Sequence, residues 1–72
     1  MNIAHAETEI VSAFRTWAEK QFEPGKIPTG NDAFRFFGEL RTSHSELLNF
    51  KCSGDKWQRV HIWLRNRDMV SD

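Results

Sequence analysis

Residues 54–70, GDKWQRVHIWLRNRDMV, constrain this chain more than any other stretch, because their apolar side chains recur with the period of a helix. At roughly 100° per residue, Trp57, Val60, His61 and Leu64 fall on one side, with Trp63 at its margin. The opposite side carries Gln58, Arg59, Ile62 and Asn66, with Arg65 beside them. A helix with one apolar face has to bury that face against a partner, and the rest of the chain must supply it.

The supply is helical too. Residues 6–22 place Ile10, Phe14, Trp17, Ala18 and Phe22 on one face, and Glu7 and Glu9 are expected in the first turn, where they suit the positive end of the helix dipole. Pro24 and Gly25 stop that helix, and residues 23–30 form a turn-rich connector. A second helix is expected over residues 31–41, capped by Asn31 or Thr29. Its Ala33, Phe34, Phe36, Phe37 and Leu40 span so wide an arc that this helix should be the most buried. Gly38 in its middle costs about 1 kcal/mol relative to Ala, and close approach of another helix, or a kink, would explain it. Ser43 and Glu46 fit a capping box for a short helix over residues 44–50, burying Leu47, Leu48 or Phe50. Residues 51–54 read as a turn; Asp55 caps the last helix, expected over 55–69, with Gln58 completing a second capping box. No strand pattern, repeat or low-complexity tract interrupts this order.

Composition sets the limits. A chain of 72 residues is one domain at most and buries only roughly 60% of its unfolded surface. Cys52 is alone, so neither an intrachain disulfide nor a cysteine-based zinc site is available. Three Trp and six Phe supply the core mass instead. Formal net charge is zero, which argues against wholesale electrostatic binding to nucleic acid. Its distribution is uneven: residues 1–50 carry five basic side chains against seven acidic, and residues 51–72 carry five against three. The first ten residues lack the basic start and apolar run of a signal peptide, and no segment has the roughly 20 apolar residues of a membrane span. A cytoplasmic location is the expectation, with no membrane partner.

The stretch SHSELLNF-KCSG-DKWQRVHIWLRN resembles the tri-helical helix-turn-helix of bacterial and phage DNA-binding proteins, over residues 31–70. The resemblance implies an all-α, four-helix small domain spanning residues 1–72: an N-terminal helix plus a tri-helical unit without a wing. Phe50 departs from the common repressor pattern, standing where a small residue usually permits tight packing. The resemblance also implies double-stranded DNA as partner, read in the major groove by helix 55–69 to regulate transcription or a mobile element. Gln58, Arg59, Ile62 and Asn66 would then face bases, since Arg suits guanine, Gln and Asn suit adenine, and an apolar group suits the thymine methyl. Lys51, Ser53, Lys56 and Arg65 would contact phosphates, and Asp55 is an awkward neighbour for them. A homodimer through the first helix or Trp63 would help so small a domain bind DNA.

Plainer readings stand beside these. Arg59, Arg65 and Asn66 also fit an ordinary solvated face, and Val11, Ala13 and Phe14 of the first helix also fit a lid on the core. The competing function is a small helical protein-interaction module of antitoxin, anti-repressor or inhibitor type. His5, His44, His61 and Cys52 show no zinc-ligand spacing, and a Cys–His nucleophile would need an orienting third group and a cleft. His61 reads as a core histidine with a satisfied hydrogen bond. GKIPTG lacks the order of a phosphate-binding loop. The expectation is therefore no enzyme, no cofactor, no metal and no small-molecule substrate.

Overall fold

The computed structural model describes residues 2–72, and the fold is all-helical. Three α-helices, α1 (Ile3–Gln21), α2 (Gly30–Ser43) and α3 (Lys56–Asn66), surround one core, and a single 3-10 turn, Ser45–Leu48, lies between α2 and α3. The core is a continuous cluster drawn from every element: Ala6, Ile10, Val11 and Phe14 of α1; Ala33, Phe36, Phe37 and Leu40 of α2; Leu48 and Phe50 of the connection; Val60, Trp63 and Leu64 of α3; and Val70 beyond it. Val11 and Phe14 are thus used to cover the core.

Helix α1 begins three residues earlier than the periodicity predicts. Asn2 is its N-cap, the Oδ1 accepting from the amide of His5 at 2.8 Å. Glu7 and Glu9 consequently stand in the second turn, out of reach of the first-turn amides. Glu7 forms an ion pair with Arg67 at 2.6 Å instead, joining α1 to the far end of α3.

Helix α2 starts at a capping box that its apolar periodicity does not reveal. Thr29 Oγ1 accepts from the amide of Asp32, and Asp32 Oδ2 accepts from the amide of Thr29 at 3.0 Å. The latter bond, foremost among several influences, holds the Asp32 carboxyl below the usual aspartate range. The expected box at Ser43 and Glu46 does not form, because α2 runs on through Ser43 and an N-cap residue must leave the helical conformation. His44 terminates α2, and the next element is the one short 3-10 turn with no side-chain cap, not an α-helix over 44–50. The four-helix expectation is corrected to three. Leu48 and Phe50 are nevertheless buried and Leu47 is half-buried, so the apolar pattern located a core segment while mistaking its geometry.

The wide apolar arc expected of α2 is buried only in part, at Ala33, Phe36, Phe37 and Leu40. Phe34 is 52% exposed, and Gly38 faces open space, with no atom within 4 Å of the position a Cβ would take. The close backbone approach occurs at Gly30, where a Cβ would meet Asp72 and His61 between 3.1 and 3.3 Å away.

Candidate nucleic-acid interface

The connection to α3 is anchored by its own backbone and by Lys56. Gly54 takes φ +90°, a turn conformation natural to glycine, and Asp55 then caps α3 by accepting from the amide of Trp57 at 2.9 Å. Gln58 makes no hydrogen bond to the cap, so the second capping box is not formed among the described residues. Lys56 reaches back from the first turn of α3, donating from Nζ to the Leu48 carbonyl at 2.6 Å and lying 5.4 Å from the centroid of the Phe50 ring. Its expected phosphate contact competes with this internal role.

Helix α3 is shorter than the expected 55–69, because Asp68 turns the chain at φ +56°. The amide of Asp68 donates to the Arg65 carbonyl at 3.0 Å, and that of Met69 to the Leu64 carbonyl at 3.0 Å. That pair of bonds is a Schellman ending, with a left-handed residue just past the helix. The turn sends residues 69–72 back across the molecule, where Ser71 donates from its amide to the Pro28 carbonyl at 2.8 Å and Asp72 accepts from the amide of Gly30.

One face of α3 is held hard against the core. Val60 and Leu64 are fully buried, and Trp63 is only 6% exposed, its ring 5.5 Å from that of Phe50. Phe50, in conflict with the repressor pattern, is thus the platform that Trp63 packs on. So little of Trp63 reaches solvent that it offers scant surface for a second copy. His61 is half-buried at the edge rather than in the core. It stacks on Trp57 with centroids 4.9 Å apart and 7° between planes, and its Nε2 is hydrogen-bonded to the Asp72 carbonyl.

The other face is open. Gln58, Ile62, Arg65 and Asn66 are exposed, Ile62 by 46%, and Arg59 is half-buried at their margin beside Trp63. These five residues therefore share one surface. Lys51 and Ser53 lie exposed on the connection that leads into α3. Within α3 there is no acidic residue, and among the described residues none of Gln58, Arg59, Arg65 or Asn66 uses its side chain in an internal hydrogen bond or ion pair. Arg67, just past the helix, is by contrast fully engaged, with Glu7 and with the Trp63 carbonyl at 3.2 Å.

Elsewhere the surface holds open clefts, two of them beside α1. One, of about 470 Å³, lies between the end of α1 and the 23–28 connector and is floored by Phe14, Ala18, Phe22 and Met69. The other, of about 410 Å³, lies between α1 and α2 around Trp17, Phe36 and Leu40. Helical periodicity anticipates neither, since both depend on how α1 leans against its neighbours. Among the described residues no group of three His, Cys, Asp or Glu side chains is placed to hold a metal ion, and no helix is long and apolar enough to cross a membrane. No known protein family, no characterised protein and no solved structure matches the chain.

Proposed function

We propose that this protein binds double-stranded DNA through the open face of α3, with α2, its connection and α3 acting as a helix-turn-helix-like unit in a regulator of transcription or of a mobile element. The observation that supports this reading most is the unpaired character of that face, whose only acidic neighbour in the first turn is the N-cap Asp55. Arginine, glutamine and asparagine side chains that satisfy nothing inside the molecule are free to pair with base edges and phosphates. An α-helix is about 10–12 Å across with its side chains and fits a major groove about 12 Å wide, and the eleven residues of α3 extend about 16 Å along it. The helix and its C-cap are fastened at three points: by Trp63 on Phe50, by Lys56 on the connection and by Arg67 on α1. A helix so held presents its free side chains in a fixed geometry, which is what base recognition requires.

In this reading Gln58, Ile62 and Arg65 occupy the centre of the contact, Arg59 and Asn66 its borders, and Lys51 and Ser53 touch the backbone. The test is a salt titration of binding to mixed genomic DNA fragments, comparing wild type with Arg59→Ala and Arg65→Ala. A base-contacting arginine should cost about 1–3 kcal/mol and relax specificity at one position, whereas a phosphate-contacting one should weaken all sequences alike and lower the salt slope by about 1. Folded protein that binds no DNA at low salt sinks the proposal. The alternative, a helical protein-interaction module, draws its support from the exposed Phe34 on α2.

A further inference from the structure

Helix α2 contains two features that nothing inside the molecule explains, and they are neighbours. Gly38 stands in the helix interior, where glycine is unfavourable, yet no side chain or backbone from elsewhere approaches it. One turn before it Phe34 is 52% exposed, the one exposed Phe or Trp ring among the described residues. Phe34 rests edge-on against Trp57 at 5.1 Å and leaves its other side to solvent. A protruding ring and a notch thus share a face of one helix.

We infer that this face of α2 is a self-association surface whose partner is a second copy of the same chain. Two α2 helices laid antiparallel about a twofold axis near the level of residue 37 bring Phe34 of each copy within one turn of Gly38 of the other. The same symmetry sets Arg35 of each opposite Glu39 of the other, and Arg41 of each beside the other's Phe34 ring. Every contact is made twice, as a twofold interface demands.

Charge complementarity selects this occupant. The exposed charges of the face are mixed, Arg35 and Arg41 with Glu39, and both Arg35 and Glu39 have capacity to spare. Arg35 bonds Asp32 through Nη1 alone, and Glu39 accepts from Trp17 Nε1 through Oε2 alone. A nucleic acid would be repelled by Glu39, and an acidic or basic protein would meet one charge of the wrong sign. A second copy turned by the twofold satisfies both. Gly38 supplies what the pairing needs sterically, since a missing side chain lets backbones approach closely. Because α3 packs on the Phe34–Phe37 side of α2, both α3 helices would lie on the same side of the pair. That placement suits a reader of two DNA half-sites, but the self-association stands without it.

The test is sedimentation velocity on the wild-type protein over a concentration series up to roughly 1 mM, beside Gly38→Leu, Phe34→Ala, Arg35→Glu and Glu39→Arg. Wild type should show a monomer–dimer equilibrium. Gly38→Leu should weaken it at least about tenfold while raising the thermal midpoint, because leucine fills the notch and is the better helix former. Arg35→Glu and Glu39→Arg should each be monomeric alone and should form a heterodimer when mixed, since the mixture restores both ion pairs. Circular dichroism establishes that each variant is folded. A wild type that stays monomeric throughout, or a folded Gly38→Leu or Phe34→Ala that dimerises as well as wild type, overturns the inference.

Discussion

Replacing Asp68 by glycine should stabilise this protein, and the structure sets the size of the effect. Asp68 holds φ at +56° to close the Schellman ending of α3, a region where an L-residue costs about 1–2 kcal/mol, with aspartate towards the lower end. Glycine removes that cost but gives back about 0.5–1 kcal/mol through its greater freedom in the unfolded chain. It also removes a carboxylate from the negative end of α3, which contributes roughly 0.3–1 kcal/mol. The net gain is about 1 kcal/mol, or about 4–8 °C in thermal midpoint for a domain of this size. Thermal and urea unfolding followed by circular dichroism and tryptophan fluorescence would measure it. The decisive comparison is with Asp68→Ala, which removes the same charge but keeps a Cβ. Inside a helix alanine beats glycine, whereas at a left-handed position the order reverses. If Asp68→Ala proves as stable as Asp68→Gly, the assignment of strain to this residue is wrong.

Two other perturbations probe the supports of the α3 face. Lys56→Met keeps the alkyl stem but leaves the Leu48 carbonyl without its ammonium donor; it should cost about 1 kcal/mol in urea unfolding, while Lys51→Met, at an exposed site without an internal partner, should leave stability unchanged. At the start of α2, Thr29→Ala should cost about 1 kcal/mol by removing the cap. The pH dependence there stems from the depressed pKa of Asp32. Its contribution is complete above its ordinary value near 3.8 and is lost as pH falls through the lower folded value, so the midpoint of wild type should drop in that acid range and Asp32→Asn should flatten the drop.

Legibility in the sequence tracked the distance over which each signal acts. The recurrence of apolar residues identified the three α-helices and most of the core, because a 3.6-residue period reports burial on one face without reference to the partner. Asp55 was readable as a cap, and Thr29 as one of two candidates beside Asn31, for a similar reason, since a cap bonds amides two or three residues away. The open face of α3 was also visible in outline, its polar residues lying opposite Val60 and Leu64.

Tertiary structure decided the points at which two local signals competed or a distant residue intervened. Ser43 and Glu46 have the spacing of a cap, but α2 extends through Ser43 and no sequence rule weighs that extension against the box. Phe34 carries as apolar a side chain as Phe36, and only the position of α3 leaves one outside and the other in the core. Trp63, marginal on the helical wheel, is buried because the connection brings Phe50 beneath it. Lys56 and Arg67 look like any other cations near a basic helix until the fold supplies the Leu48 carbonyl and Glu7. Periodicity and capping are properties of neighbours along the chain; the choice of which apolar ring stays exposed and which cation stays free belongs to residues brought together from far apart.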